Sequence, residues 1–376
     1  MARIGGKLRS AARERGNGAE QGCSASRDGG SQGVMRDERG GHGASAWRAA
    51  RVTLAASLAL CLIAPFALAG CSGGGEKAGS SSQESSAAQP QEGYAFTDDL
   101  GNQVTVNNPQ RVVACMGSFA DVWQLAGGTL VGASQDAFAD YGIDEANVQS
   151  VGDFSGLSLE SILACNPDFV IMTGSSSGRG GGVAQTDLKD ALEASGVSVA
   201  YFNVTTFDDY LRMLRVCCDI TGRDDLYASN GDDLKAKVSD AIDAGRKSVP
   251  QGARVALLTT YSQGIRVLPS SSTAGAILND LGAVNIADEN PSLLSDFGLE
   301  ALLKTDPDYI FLVPMGDDDA AAERNLKAAT MDVPAWSELS AVKKGHCVVL
   351  DKALFLYKPN AHWDEAYKAL SDAFEE

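Results

Sequence analysis

Three consecutive serines in a glycine-rich run are the first candidates for chemistry. The run reads GSSSGRGGG from Gly174 and contains the pattern Gly-x-Ser-x-Gly, in which a hydrolase places its nucleophile between a strand and a helix. Arg179 and three glycines follow where that helix should begin, and Ser176 would depend on His346 or His362 as its base. A phosphate-binding loop is disfavoured because no Gly-Lys-Ser/Thr ending follows. A serine hydrolase is therefore kept only as the enzymatic alternative, and we expect no enzyme.

Histidines and tyrosines decide which metal chemistry is open to the chain. Zinc or manganese held directly by a protein normally takes several histidines together with carboxylates. The chain has three histidines and no histidine-rich loop, so we expect neither a bare metal site nor an intrinsic cofactor. Haem stays open as a ligand, because Tyr261, Tyr357 or Met315 could supply an axial ligand to its iron. A cleft tyrosine that only packs is the simpler interpretation.

One segment of the chain occurs twice in similar form. The copies begin at Ser158, as SLESILACNPDFVIMTG, and at Gly298, as GLEALLKTDPDYIFLVP, so that Glu160 matches Glu300. Each copy predicts a short helix, a turn at its Pro-Asp pair and a buried strand. Solenoid repeats recur every ~20–50 residues. These copies lie half a mature chain apart, which indicates two similar lobes. Both glutamates fall in the first turn of a helix, where the macrodipole alone favours an acidic side chain.

Strand and helix patterns alternate on both sides of one long polar segment. Short β-branched runs such as RVVACM and RVALLTTY are followed by helical patterns, which predicts parallel sheets. The predicted fold class is α/β, with two similar α/β lobes whose central, mostly parallel sheets are joined by a single long helix. We place the N-terminal lobe at 94–222, the bridging helix at 223–249 and the C-terminal lobe at 250–376. A polar helix of this length predicts a stiff spine, with its weakest point at Asn230-Gly231.

The beginning of the chain has the composition of an export signal. Two arginines precede an apolar run that ends in LAGC at Cys71, and a segment rich in Gly, Ser and Gln follows. A basic start, a short apolar stretch and small residues at the end are the parts of such a signal. LAGC resembles the bacterial lipobox, which implies lipid on Cys71 and removal of the residues before it, within an extension at 1–71. Residues 72–93 would then form a flexible tether. Met35 restarts a more typical signal length and is the expected true start.

Charge and cysteine content exclude two further classes. The net charge is −18, and it becomes more negative when the basic signal is removed. Nucleic acid binding needs clustered Lys and Arg, so we expect no nucleic acid partner. The cysteines after the signal are odd in number and contain no CxxC pair; they are Cys115, Cys165, Cys217, Cys218 and Cys347. A disulfide framework is therefore not expected.

Four features together resemble a substrate-binding lipoprotein of an ABC importer, of the class that serves ferric siderophores, haem and vitamin B12. They are the LAGC sequence, the segment DDLGNQVTVNNPQRVVAC from Asp98, the two LExxLxxxPD copies and the bridging helix. The resemblance covers the chain from about Tyr94 onward. The resemblance implies an extracytoplasmic protein without catalytic activity, anchored through lipid on Cys71. It also implies that Glu160 and Glu300 engage arginine pockets on a permease that works with an ATPase. We expect a monomer, and a surface sensor or adhesin built from the same lobes is an alternative.

Ligands of open α/β sheets bind beyond the carboxyl ends of the strands. Aromatic and cationic residues in such places would suit a bulky anionic chelate, through stacking and a few charges. We therefore predict an iron–siderophore-type chelate between the lobes, with haem or cobalamin as alternatives. The candidate ligand-binding residues are Ser118, Phe119, Arg179, Tyr261, Arg266, Met315, Phe355, Tyr357 and Lys358.

Overall fold

The described part of the chain comprises residues 93–174, 184–261, 264–295, 297–315 and 319–375 of a computed structural model. Cys71, the signal and nearly all of the tether, Ser176 and Arg179 lie outside the described residues, so the predictions made for them stay predictions. The described residues all belong to one compact unit. Among them, no helix combines the length and the apolar character needed to cross a membrane.

The first lobe alternates short strands with helices, as the sequence predicts. Its strands are β1 (Tyr94–Thr97), β2 (Gln103–Val106), β3 (Val112–Ala114), β4 (Leu130–Ala133), β5 (Gln149–Ser150), β6 (Gly152–Asp153), β7 (Gly156–Leu157), β8 (Phe169–Thr173) and β9 (Ser198–Phe202). Its helices are α1 (Gly117–Leu125), α2 (Gln135–Tyr141), α3 (Leu159–Ala164), α4 (Lys189–Ala194) and α5 (Phe207–Thr221).

The main sheet of this lobe has the strand order β5-β4-β3-β8-β9, and every neighbouring pair is parallel. All residues of β3 and of β8 are buried. A parallel sheet covered on both faces is built from continuous apolar runs, which is why VVA and FVIM contain no polar residue. The predicted α/β class with a largely parallel sheet is confirmed here.

Three helical pieces follow one another between the two sheets. They are α6 (Asp224–Tyr227), a π-helical turn (Ala228–Asp232) and α7 (Asp233–Ser248). The predicted weak point lies in the π-helical turn. There Asn230 Nδ2 donates to the Leu125 carbonyl at 2.8 Å, and the Asn230 carbonyl accepts from the Tyr210 hydroxyl at 3.0 Å. Two contacts from the first lobe therefore hold the turn that the sequence marks as weakest.

The second lobe has a mixed sheet. Its strands are β10 (Arg254–Tyr261), β11 (Gly264–Val267), β12 (Val284–Asn285), β13 (Tyr309–Pro314) and β14 (Cys347–Val349). Its helices are α8 (Thr273–Leu281), α9 (Ile286–Glu289), α10 (Leu299–Thr305), α11 (Asp319–Ala329), α12 (Ser340–Lys344), α13 (Lys352–Phe355) and α14 (Trp363–Asp372). β10, β13 and β14 are parallel neighbours, β12 adds a short parallel pairing to β10, and β11 runs antiparallel to β10.

The repeated segment folds alike in both lobes. α3 leads to β8 and α10 leads to β13, and both helices are followed by a residue with positive φ before the Pro-Asp pair. These residues are Asn166, with φ 47°, and Asp306, with φ 42°. Asn and Asp tolerate this left-handed conformation better than other residues with a Cβ. The helix, turn and buried strand predicted twice are therefore confirmed.

One hydrophobic core extends through both lobes. It contains residues of α1 and α5 from the first lobe, α7 between the lobes, and β10, α8 and α14 from the second. α14 packs along α7. Its Trp363 is fully buried and lies 5.8 Å from Phe207, measured between ring centroids. The C-terminal helix therefore joins the lobes in addition to the helices that link them along the chain.

Candidate functional site

Three predicted ligand residues come together at the carboxyl ends of β10 and β13. The guanidinium of Arg266 lies over the Tyr261 ring, 5.1 Å from its centroid, and its Nη2 is 3.9 Å from Met315 Sδ. Arg266 is exposed, whereas Tyr261 and Met315 are half-buried. We call these three residues the Arg266 cluster. A permanent cation on an aromatic face, beside a polarizable thioether, can attract an anion and stack against a flat ligand.

The hairpin between β10 and β11 creates this cluster. Tyr261 pairs with Gly264 across the hairpin, and Gly264 has φ 137°, which a residue with a Cβ rarely adopts. Arg266 pairs with Thr259, so its side chain can reach back over the last residue of β10. Met315 follows β13, and its N–H donates to the Thr260 carbonyl at 2.9 Å. Because β11 runs antiparallel to β10, it places the Arg266 guanidinium beside the carboxyl end of the second sheet, which we call the mouth of that sheet.

Tyr357 and Lys358 belong to the second lobe in sequence but are held by the first. The Lys358 N–H donates to the Tyr141 hydroxyl at 2.9 Å, and that hydroxyl donates to the Lys358 carbonyl at 3.3 Å. The Tyr141 and Tyr357 rings lie 6.4 Å apart. Burial raises the pKa of Tyr141 well above its usual range, so the hydroxyl stays protonated. Lys358 Nζ donates to Thr273 Oγ1 at 3.2 Å and is therefore already engaged within the protein.

Three other predicted ligand residues are buried. Ser118 and Phe119 are each 1% exposed and Phe355 is 5% exposed. Phe119 packs edge-to-face on Phe202, with 6.3 Å between the ring centroids. α1 begins at Gly117, with only two residues between it and the end of β3, so its first residues turn toward the core. These three residues therefore expose almost no side-chain surface that a ligand could contact, so their predicted contact with a ligand is not supported here.

The sequence analysis did not single out Leu100, which lies in the turn between β1 and β2. The Asp98 carboxylate shapes that turn by accepting from the N–H groups of Leu100 and Asn102, and it covers the edge of the sheet by accepting from the N–H of Tyr201 in β9. Leu100 is 44% exposed. A Cβ on Gly174, which follows β8, would come within 3.0 Å of its side chain. A large apolar residue inside the polar turn DDLGN was the available signal.

Glu160 and Glu300 are both exposed and lie in the first turns of α3 and α10. We call α3 and α10 the docking helices, after the permease contact that the sequence resemblance implies for these glutamates. The Ser158 hydroxyl caps α3 by accepting from the Ser161 N–H at 3.1 Å, whereas Gly298 at the start of α10 has no side chain to do so. The structure thus places the two glutamates at equivalent positions, where they are open to a partner or to solvent.

The alternatives with enzyme or metal chemistry find little support in the described residues. His346 stacks on Tyr309 at 4.5 Å and lies just before β14, at the amino end of the second sheet. Gly174 follows the carboxyl end of β8 in the first sheet, so His346 belongs to a different sheet. The other candidate base is His362, whose Nδ1 lies 3.1 Å from Glu365 Oε1. The described residues contain no group of three or more His, Cys, Asp and Glu side chains arranged to hold a metal ion.

Comparison with known proteins agrees with the family that the sequence resembles. Residues 112–354 match the family model described as periplasmic binding protein. YhfQ of Bacillus subtilis (strain 168), whose name places it among ABC transporter substrate-binding lipoproteins, is 25% identical over 302 residues, which cover 74% of this chain and 89% of YhfQ. The Fe(3+) dicitrate-binding periplasmic protein FecB of Escherichia coli (strain K12) is 23% identical over 259 residues, covering 68% of this chain and 81% of FecB.

A solved structure with the same fold is that of the siderophore binding protein BauB, bound to a complex between two molecules of acinetobactin and ferric iron. It superimposes with a TM-score of 0.59 at 17% identity, over 75% of this chain and 99% of BauB. At this identity the likeness concerns the fold, which agrees in its two lobes and central sheets.

Proposed function

Because this chain belongs to the periplasmic binding protein family, we propose that it captures an anionic iron chelate of the siderophore type and delivers it to an ABC permease. Family membership makes it an extracytoplasmic binding protein and not an enzyme. The single observation that supports this ligand class is the Arg266 cluster, because it presents a permanent positive charge and an aromatic face at the mouth of the second sheet.

The charge and shape of the cluster favour a chelate that is negatively charged and partly flat. Carboxylates or phenolates on such a chelate would face the Arg266 guanidinium, and a flat apolar part would lie against Leu100 on the opposite lobe. The relatives YhfQ and FecB support a transport role, and FecB by its name binds ferric dicitrate. Haem is the second candidate, since Tyr261 and Met315, two possible iron ligands, lie beside the same guanidinium.

Delivery to the permease is proposed to use Glu160 and Glu300. Two exposed carboxylates on separate lobes can form a bivalent contact with the permease. Each ion pair between a glutamate and a permease arginine adds little affinity at a solvated rim, but the two together orient the protein and speed its association. Lipid on Cys71 would keep the protein at the membrane surface, with residues 72–93 as its tether. We further propose that the protein acts as a monomer, together with the permease and its ATPase.

The ligand class is tested by thermal unfolding of the chain from residue 72 onward, in the presence of ferric citrate, ferric siderophores, haem, cobalamin and bare metal ions. A ligand at a thousand times its Kd adds about 4 kcal/mol of stability, which raises Tm by several degrees. A shift with a ferric chelate and none with cobalamin or bare ions is expected. A shift with haem alone would identify haem as the ligand in place of a siderophore-type chelate. No shift with any of these ligands would contradict the proposed ligand class.

A further inference from the structure

Two arginines occupy equivalent positions at the start of β3 and of β10, and both reach the end of a docking helix. Arg111 Nε donates to the Asn166 carbonyl at 2.9 Å, and its Nη2 donates to the Cys165 carbonyl at 2.5 Å. Arg254 Nη1 donates to the Thr305 carbonyl at 2.9 Å. In both lobes the guanidinium thus donates to a carbonyl at the end of the helix that carries the exposed glutamate, and in the second lobe it also pairs with Glu289 at 2.9 Å.

The aspartate of each Pro-Asp pair forms hydrogen bonds with the backbone of the same arginine. Asp168 accepts from the Arg111 N–H at 3.0 Å, and Asp308 accepts from the Arg254 N–H at 3.0 Å. Their own N–H groups donate to the carbonyls of Arg111 and Arg254. Each lobe therefore contains a closed clamp, in which the strand start, the helix end and the next strand start are fixed to one another.

The docking helices need such a clamp because they are short. α3 has 6 residues and α10 has 7, and a helix of this length does not hold its shape through its own backbone hydrogen bonds. Each glutamate lies in the first turn, so any tilt of the helix on its sheet moves the carboxylate. The clamp acts at the opposite end of the helix, where it limits that tilt.

We propose that Arg111 and Arg254 are positioning residues that fix the separation of Glu160 and Glu300 for docking to the permease. The inference rests on the docking part of the proposed function. A bivalent contact is strong only when both ends can engage at once, and a variable separation reduces the effective concentration of the second end. The clamps therefore convert two weak carboxylate contacts into one contact of defined span.

The separation is measured by pulsed electron spin resonance between spin labels at Glu160→Cys and Glu300→Cys. The protein is the chain from residue 72 onward, with the half-buried Cys347 replaced by Ser to prevent labelling there. Arg111→Met or Arg254→Met should broaden the distance distribution, and Arg111→Lys, which keeps the charge and some donors, should restore part of its sharpness. Arg246→Met is the matched control, because Arg246 Nε donates to the Asp280 carbonyl at the end of α8, which carries no docking glutamate.

Docking is measured in the unlabelled protein as the concentration that half-stimulates ATP hydrolysis by the permease–ATPase complex of the same cell. Arg111→Met together with Arg254→Met should raise that concentration about tenfold or more, since avidity depends on geometry. Arg246→Met should leave both readouts unchanged even where it lowers Tm. An unchanged distance distribution in the clamp variants would overturn the inference, as would a broadened one with unchanged docking. If Glu160→Ala with Glu300→Ala leaves docking unchanged, the docking proposal itself fails, and this outcome is distinct from a failure of the clamps alone.

Discussion

The two lobes use the same scaffold but end their sheets differently. In the first, β3 runs directly into α1, so that Ser118 and Phe119 are buried in the core. In the second, β10 turns back into the antiparallel β11, which exposes Arg266 and holds it over Tyr261. Among the described residues, the segment after β3 therefore turns its side chains into the core, whereas the segment after β10 presents a cation and an aromatic ring.

This difference separates the part of each lobe that is repeated from a part that the lobes do not share. The repeated helix, turn and strand, with their arginine and aspartate clamps, form the part of each lobe that is alike and that carries the docking glutamates. The hairpin in the second lobe is the part that differs, and it carries Arg266, the charge that we propose for the ligand. The scaffold that holds Glu160 and Glu300 is thus repeated in the described residues, while the Arg266 cluster belongs to the second lobe.

The largest expected effect tests whether the two lobes are separable at all. Trp363→Ala removes a fully buried ring from the core that both lobes share, and the loss should cost about 3–5 kcal/mol of unfolding free energy. Trp336 is the matched control, since it is buried in a cluster confined to the second lobe. Hydrogen exchange should quicken in both lobes for Trp363→Ala and in the second lobe alone for Trp336→Ala. The same exchange pattern in both variants would contradict a core that joins the lobes.

The next effect sharpens the contrast between the two mouths. Arg266→Met should weaken binding of the anionic chelate by about 1.5–3 kcal/mol, roughly ten- to a hundredfold in Kd, because a hydrogen bond to a charged group is lost. Arg212→Met is the control in the first lobe. Its guanidinium is already paired with Asp99 at 2.8 Å and Asp209 at 3.2 Å, so Kd should change little. Equal losses from the two variants in isothermal titration would show that the lobes share the ligand charge.

How far the sequence predicts this molecule differs between its scaffold and its cleft. The strands, the repeat and the class of fold follow from local patterns, since each β-branched run and each LExxLxxxPD copy specifies its own backbone. The burial of Phe119 does not follow from a local pattern, because it depends on α1 starting at Gly117, with only two residues between it and the end of β3. The Tyr141–Lys358 contact joins positions far apart in the chain and has no local pattern. The Arg266 cluster was predictable as three separate residues but not as one site.

A smaller effect concerns the polar contact between the lobes. Asn360 Nδ2 donates to Asp121 Oδ2 at 2.8 Å, and burial raises the pKa of Asp121 above its ordinary value, opposed by the Asn360 hydrogen bond and by His362. The folded state therefore binds a proton more readily than the unfolded state, and stability falls as pH rises through the interval between the ordinary and the raised pKa.

Asp121→Asn removes the cost of the buried charge while keeping an oxygen that can accept from Asn360. The variant should be more stable than the unaltered protein at pH 7, and the difference should shrink as pH falls through that interval. Asp225→Asn is the control, because Arg223 lowers the pKa of this exposed carboxyl and no buried charge is relieved. Urea unfolding at pH 7 and at a pH near the ordinary Asp pKa of about 3.9 measures both. A loss of stability for Asp121→Asn at pH 7 would mean that the ionised carboxylate is needed between the lobes.

The smallest effect separates the two docking helices by their response to acid. Asp306 follows α10, and hydrogen bonds from the Ser340 hydroxyl and N–H hold the pKa of its carboxyl below the ordinary value. Its contribution to stability is therefore present above the ordinary Asp pKa of about 3.9 and is lost as pH falls through the lowered value. Asn166, the equivalent residue after α3, has no charge to lose. Since Asp168 and Asp308 follow the two helices alike, nuclear magnetic resonance should show one additional carboxyl, that of Asp306, titrating at the end of α10 below the ordinary Asp pKa. Ser340→Ala should raise the pKa of Asp306. If the two ends respond to acid alike, the hydrogen bonds from Ser340 do not distinguish α10 from α3.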